Sequence, residues 1–586
     1  MERKARASLI AMIILTFTMF AQLGTSAKLQ AGNIGDHAVS IYASVDNQAS
    51  KLESGGPAPL WNRTYGGTQQ DYAFSLVPTS DNGFVLAGGT FSYGAGGSDF
   101  WLVRTDSLGN MQWNRTYGGT GDDEAHCITL TLDGGYAILG TTTSFGAGGY
   151  DFWLVKTDSA GNPLWNKTYG GADDDDAWSI KETVNGDLVL AGWTASFGTG
   201  SGDFWLVKTN QYGNMLWNKT YGGVLLDYAY CVQQTSDGGY ALFGSTYSLG
   251  AGGVDFWLVK TDAAGNEQWN KTYGGALDDY GFSLKETFDD GYALAGSASS
   301  FGEGVYDSWL VRTDQSGNVM WNKTYGASGY DETWSVLQAA NQGFILAGGT
   351  DSYGAGSSDC WLIAADASGN LQWNMTWGGT GYDYAYSVLE CADENFALAG
   401  ETQSSGVGGS DFLLIKVPVI ADVAVTNATA LKAVVGQGYC LNISMTAANE
   451  GDLAETFTTT VYANISSVAS QTLNLASGKS ITTTLTWNTS GFAYGNYTIS
   501  AVADTVPGET DMSDNNMTGG MVLVTLVGDV NGDRKVRVDD ILAVATAFGS
   551  NWGEPKYSPN LDINDDRKIR VDDVLAAAQH FGQGPW

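Results

Sequence analysis

Basic residues are scarce in this chain: 28 Lys and Arg face 63 Asp and Glu, leaving a net charge of −35 over 586 residues. That balance excludes nucleic acid and anionic lipid as partners and gives a surface that attracts cations. Cysteine is sparse as well. Its five copies (Cys127, Cys231, Cys360, Cys391 and Cys440) are odd in number and widely spread, so they frame no disulfide scaffold. The sequence holds no nucleophile elbow, zinc spacing or phosphate loop. Long apolar runs are missing except for Leu9 to Phe20, which follows Arg3, Lys4 and Arg6 and precedes Thr25-Ser26-Ala27. This is the layout of a secretory signal peptide over residues 1–27, cut near Ala27. An uncleaved anchor is the alternative, for which the run is short. The expected location is extracellular or cell-surface, with no membrane insertion after cleavage.

Glycine and aromatic residues are abundant: 79 Gly and 12% aromatic content favour turn-rich β structure over helix bundles. After a polar spacer at 28–57, the core Trp-Asn-x-Thr appears at Trp61 and returns at Trp113, Trp165, Trp217, Trp269, Trp321 and Trp373. Each unit alternates short apolar runs (EAHCITL, YAILGTT, FWLVKTD, LWNKTYG) with turn signals (LDGG, SFGAGG, DSAGN, GG). Four strands per unit, repeated seven times, predict a mainly β chain with a seven-bladed β-propeller at 58–418. The first Trp-Asn strand precedes any complete unit, and the last unit ends at DFLLIKV without one. The strand from Leu60 to Tyr65 should therefore complete the seventh blade and remove two unpaired edges. An open solenoid is the alternative, although the array shows no atypical capping repeats. Cys127 and Cys231 occupy the fourteenth position after a repeat Trp, where the other units carry Ser, and read as packing residues.

The turn TDSLGNMQW (Thr105 to Trp113) resembles the Asp-box hairpin of sialidase-like propellers and the tryptophan-docking turn of quinoprotein-like propellers. Either resemblance gives Asp106, Gly109 and Trp113 a structural role and says nothing of chemistry. Residues 419–526 carry short alternating runs rich in Thr, Val, Ala and Asn, which predict an immunoglobulin-like sandwich. The stretches ANEGDLAETFTTTVYA and PGETDMSDNN resemble the CARDB family, whose members usually act as spacers or binding modules.

Residues 527–586 hold a duplication, DVNGDRKVRVDDILAVATAFG and, 33 positions later, DINDDRKIRVDDVLAAAQHFG. Loop positions 1, 3, 5 and 12 are Asp529, Asn531, Asp533 and Asp540, then Asp562, Asn564, Asp566 and Asp573. Lys535 and Lys568 offer a backbone carbonyl at position 7. Hard oxygens at this spacing predict two calcium ions, each loop being followed by an apolar helix; metal-free Asx turns are the alternative. A doubled loop-helix with Asp at position 12 resembles a type I dockerin, and the resemblance implies a cohesin-like partner or another surface scaffold. Arg534 and Arg567 stand where Gly is usual, and Val538-Asp539 and Val571-Asp572 replace a common hydroxyl pair.

One propeller face should carry the Asp at each inner-strand entry: Asp71, Asp123, Asp175, Asp227, Asp279, Asp331 and Asp383. A second series, Asp99 to Asp411, ends the neighbouring loops. An Asp in every unit reads first as a loop brace accepting backbone N–H bonds, and otherwise as a cation or polar-ligand ring. Tyr72, Tyr228, Tyr280 and Tyr384 are candidate sugar-stacking residues on that face. The following aromatics (Phe74, Trp178, Tyr230, Phe282, Trp334 and Tyr386, with His126 replacing one) predict interdigitation between blades. His126, beside Asp122, Asp123 and Glu124, reads as packed or as a metal ligand or base. No catalytic residue is assigned, because catalysis requires a unique environment that seven similar units do not supply. Asn-x-Ser/Thr sites recur through repeats and sandwich and would carry glycans in a glycosylating host. The expected function is an exported binding or adhesion protein recognising a polysaccharide or surface protein. The rivals are a polysaccharide-degrading enzyme and a structural envelope protein.

Overall fold

The computed structural model describes residues 58–584, apart from 340–341, 394, 452–454, 507–508 and 510. The expected signal peptide and the whole of the expected spacer lie outside the described residues.

The chain is mainly β. Its repeats form seven four-stranded antiparallel sheets, and the first runs Asp71–Pro78, Phe84–Thr90, Asp99–Thr105 and Met111–Tyr117. The seventh sheet takes three strands from its own unit and its fourth from Trp61–Tyr65, which pairs antiparallel with Asp411–Val417. Apolar residues fill the space between successive sheets: Phe100, Leu102, Ile138 and Trp153 join the first to the second. Tyr65, Leu86 and Trp101 meet Ala399, Phe412 and Leu414 between the first and the last. The fold thus buries both faces of the second and third strands of each sheet, and Phe84–Thr90 is buried at every residue.

The repeated turns explain the invariant residues. Asp106 accepts the N–H groups of Leu108 (2.9 Å) and Asn110 (2.8 Å), closing the hairpin that leads to Trp113. Gly109, at φ 76°, lies against the Trp61 ring of the neighbouring sheet, where a Cβ would be strained and crowded. The Tyr65 hydroxyl donates to the Gly109 carbonyl at 2.5 Å, and this cross-sheet bond recurs through the array.

Cys127 and Cys231 pack against the cores between sheets, as expected, and one expectation needs correction. Where other units carry Ser, the position also bonds across sheets: the Ser75 hydroxyl accepts the Ile128 N–H of the next sheet at 3.3 Å, and Ser179 accepts that of Val232 at 3.1 Å. Cys127 and Cys231 instead point their thiols toward the Ile180 and Leu284 carbonyls. The seven inner aromatics do not interdigitate between sheets. Each sits at a β-bulge, where the pairing skips one residue between Ala73 and Ser75 and at every equivalent point. A bulge re-aims its extra side chain, and here the rings form a circle. Phe74 meets His126 (5.3 Å between centroids), His126 stacks on Trp178 (4.2 Å), and the contacts continue through Tyr230, Phe282 and Trp334 to Tyr386, which returns to Phe74 at 5.0 Å.

Residues 423–525 form a sandwich of a three-stranded and a five-stranded sheet around Leu441, Ile443, Phe457, Val461, Trp487 and Ile499. Two helices, α1 (Val538–Thr546) and α2 (Val571–Gln579), follow it and pack through Val544, Ile569 and Ala577. Among the described residues no helix is long and apolar enough to cross a membrane.

Candidate functional site

The fourteen loops linking each outer strand to the next inner strand, and each second strand to its third, place both Asp series at one end of the sheets. All seven inner-strand Asp residues are fully buried. Asp71 shows why: its carboxylate accepts the Thr90 hydroxyl, the Ser92 hydroxyl at 2.7 Å and the Gly67 N–H at 2.8 Å. Asp123 repeats the pattern with Thr142, Ser144 and Gly119. The same backbone bond reaches Asp175, Asp227, Asp279, Asp331 and Asp383 from Gly171, Gly223, Gly275, Ala327 and Gly379. These Asp residues brace their loops.

The second series differs electrostatically. Asp99 accepts the Ala95 N–H at 2.7 Å, but burial, with the Asp123 carboxylate beside it, raises its pKa. Asp307 is pushed up to about 6 by burial and, secondarily, by Asp331. In each case two carboxylates flank one glycine, such as Gly118 or Gly326, whose missing Cβ makes the approach possible.

A cavity of about 340 Å³ opens where the seventh, first and second sheets meet. It is lined by Gln70, Tyr72 and Phe74, by Glu124, and by Glu401, Gln403 and Ser410. The Tyr72 hydroxyl donates to Glu124 at 2.9 Å, and the Tyr386 hydroxyl donates to Glu401 at 2.6 Å. The aromatic circle contributes Phe74 to this lining. His126 lies next to Glu124: its Nδ1 is 2.6 Å from the Ala177 carbonyl, and its Nε2 is 3.8 Å from Glu124. Burial by itself would lower its pKa, yet the Glu124 and Asp176 carboxylates together raise it. Packing on Trp178 and these bonds make His126 a member of the circle rather than a free base.

The candidate tyrosines separate. Tyr72 lines the cavity, whereas Tyr228 packs on Trp193 (5.3 Å), Tyr280 meets the Tyr247 hydroxyl at 3.3 Å, and Tyr384 stacks on Tyr386 (6.0 Å). Glu401, Gln70 and Gln403 were not singled out from the sequence. A signal existed for Glu401: equivalent positions hold Gly89, Thr141, Trp193, Ser245, Ser297 and Gly349, so it is the one acid in its column.

In the C-terminal loops, each predicted side-chain ligand accepts backbone bonds, Asp529, Asp540, Asp562 and Asp573 from buried positions and Asn531, Asp533, Asn564 and Asp566 from exposed ones. Asp529 accepts the N–H groups of Gly532 (2.8 Å), Asp533 and Arg534, Asn531 accepts that of Asp533, and Asp533 accepts that of Lys535. Asp540 accepts the Val530 N–H and also caps α1 through the Arg537 N–H. In the second loop Asp562, Asn564, Asp566 and Asp573 repeat these roles, with Lys568 donating to Asp566. Arg534 (φ 65°) and Arg567 (φ 63°) are left-handed, so the position usually held by Gly keeps the turn without it. The donors are all oxygen, which fits a hard cation. Among the described residues, however, three carboxylates converge within 4.8 Å only at Asp422, Glu450 and Asp514 in the sandwich. Asp422 is pushed up to about 6 there by burial and then by Asp514 and Glu450.

The second loop also touches the sandwich. The Lys432 ammonium is buried, donates to the Asp562 carbonyl at 2.6 Å and lies 3.5 Å from Asp565. The Asn560 side chain accepts the backbone N–H groups of Ala433 (3.0 Å) and Val434 (3.3 Å).

Comparison with known proteins matches residues 420–518 to the CARDB family model. A curated relative, the regulatory protein FlaEY of Caulobacter vibrioides, is 28% identical over 167 residues, which are 24% of this chain and 17% of that protein. The extracellular domain of a hybrid two-component system of B. thetaiotaomicron has a TM-score of 0.34 at 12% identity, covering 77% of this chain and 56% of that one. A CARDB domain of Pyrococcus furiosus in complex with di-metal ions has a TM-score of 0.16 at 24% identity, covering 18% of this chain and 96% of that one. The chain therefore spans about a sixth of that curated relative and about half of the first of these solved structures. The family match and the eight strands that pair into two facing sheets agree: residues 420–518 are a CARDB domain.

Proposed function

We propose that this is an exported, non-catalytic binding protein in which a seven-bladed propeller recognises a surface polymer and a dockerin-like module joins a larger complex. The observation that carries the reading is a duplicated exposed stripe. Val538 and Leu542 on α1 are 65% and 61% exposed, and their counterparts Val571 and Leu575 on α2 are 70% and 54% exposed. Apolar residues left bare at matching places of a duplicated unit mark an interaction surface. Calcium, when bound, would fix the loops from which both helices start. Asp529, Asn531, Asp533 and Asp540, with the Lys535 carbonyl, would hold one ion, and Asp562, Asn564, Asp566 and Asp573, with that of Lys568, the other.

For the propeller, support comes from the strand Trp61–Tyr65 completing the last sheet and from the core that the first and last sheets share. Residues 419–526 act as the spacer between recognition and docking. The test is capture of envelope and secreted proteins by the mature chain, with calcium and with chelator. Capture that requires calcium and is lost in L542E/L575E supports the docking role; capture unaffected by both would overturn it. One observation favours a second reading: Glu124 and Glu401 share a cavity, and glycosidases use paired carboxylates. Release of reducing ends from a bound polysaccharide would establish that reading instead.

A further inference from the structure

The face that carries the cavity is distinctive in charge. Its fourteen loops hold no Lys, Arg or His, while Asp122, Asp173, Asp174, Asp278, Glu303 and Asp351 all lie in them. The basic residues that end the third strands of the sheets are committed at the opposite end, where Arg104 pairs with Asp81 at 2.8 Å and Lys156 with Asp133 at 2.9 Å. No base lines the cavity, which has two carboxylates, two amides and two hydroxyls. Glu124 is partly compensated by His126, whereas Glu401 accepts a neutral donor, the Tyr386 hydroxyl.

We infer that this cavity takes a protonated amino sugar, with Glu401 receiving the ammonium, and that the surrounding face rejects polyanionic glycans. The inference rests on the polymer-binding reading above and gives it a substrate class. An anionic chain would meet like charge at five of the fourteen loops and a cation at none of them to relieve the repulsion. A neutral sugar would leave Glu401 desolvated beneath it without a charged donor, which costs more than a neutral mismatch. A lysine side chain would satisfy Glu401 but offers an aliphatic stem to Gln70, Gln403 and Ser410. Vicinal hydroxyls can both donate to and accept from those groups. Phe74 and Tyr72 supply ring surface of the kind that packs against a pyranose.

The experiment is calorimetric titration of the full chain, in chelator and mildly acidic buffer, with a glucosamine hexamer, its N-acetylated form, a neutral β-glucan hexamer, a uronate hexamer and an oligolysine. The expected result is a preference of about tenfold or more for the glucosamine hexamer over its N-acetylated form, no uronate binding, and loss of the preference in Glu401→Gln. Glu303→Gln, in the same ring of loops but outside the cavity lining, should keep it. Equal or tighter binding of the N-acetylated, neutral or uronate hexamer overturns the inference and leaves polymer binding standing. Binding of oligolysine without any glycan overturns the sugar assignment, and absence of all binding overturns the polymer-binding reading itself. A preference that survives Glu401→Gln removes Glu401 as the receiving group.

Discussion

Asp307→Asn should stabilise the repeat array at neutral pH and do nothing in acid. Asp307 is 2% exposed, accepts the Gly304 N–H at 2.7 Å, and faces the Asp331 carboxylate across Gly326. Burial and that neighbour move its pKa from 3.8 to about 6. The sign follows from linkage: a carboxyl that holds its proton more tightly folded than unfolded favours the fold below its unfolded pKa. That advantage is lost as pH rises from about 4 to about 6, and above this the fold carries the full cost of the ionised pair. About two units at ~1.4 kcal/mol each set a ceiling of ~3 kcal/mol, and screening from the open side of the loop reduces it to roughly 1–2 kcal/mol. Asparagine keeps an acceptor for Gly304 and carries no charge. The assay is denaturant unfolding from pH 4 to 8, followed by tryptophan fluorescence, since most of the tryptophans lie in the repeats. A gain of the same size at every pH, or a loss at neutral pH, would refute the electrostatic account of the paired aspartates.

Removing residues 58–65 should bare one edge of the seventh sheet and part of the core it shares with the first, lowering the melting temperature and producing oligomers by size exclusion. Lys432→Met leaves the half-buried Asp565 without its cation and should cost about 3 kcal/mol locally, read as faster hydrogen exchange at 560–573; unchanged exchange would mean the contact is incidental. His126→Phe keeps the aromatic circle while removing a group whose folded pKa is raised. Such a group stabilises below the unfolded value and loses its effect as pH rises through the folded one. The variant should therefore flatten the stability profile above about pH 6.5, and a profile of unaltered slope would count against the Glu124 and Asp176 interactions.

The sequence was most legible where one residue type does the same local job seven times. Asp106 with its hairpin, Asp71 with its loop, and the strand periods all act within a few residues of themselves. The aromatic circle was misassigned because a bulge breaks the two-residue alternation from which side-chain facing is read. An aromatic predicted to point between sheets meets instead its counterparts on neighbouring sheets. The cavity was hidden for another reason. Glu401 and Tyr72 are brought together by the meeting of the first and last sheets, some three hundred residues apart in sequence, and only comparison of columns across repeats marks Glu401 as unusual. The burial of Lys432 against the second loop had no sequence signal at all, since it depends on how two separately patterned modules meet.

The pairing of Trp61–Tyr65 with Asp411–Val417 has a mechanical side. Leu60 donates to the Lys416 carbonyl at 2.8 Å, so the chain enters and leaves the array at neighbouring points. A pull applied through the two flanks would act at the same end of an antiparallel pair and peel its hydrogen bonds one after another, rather than shear them together. Peeling would begin at the Trp61–Lys416 pair and end at Tyr65–Phe412, so the bonds that hold the first strand to the last sheet would break singly.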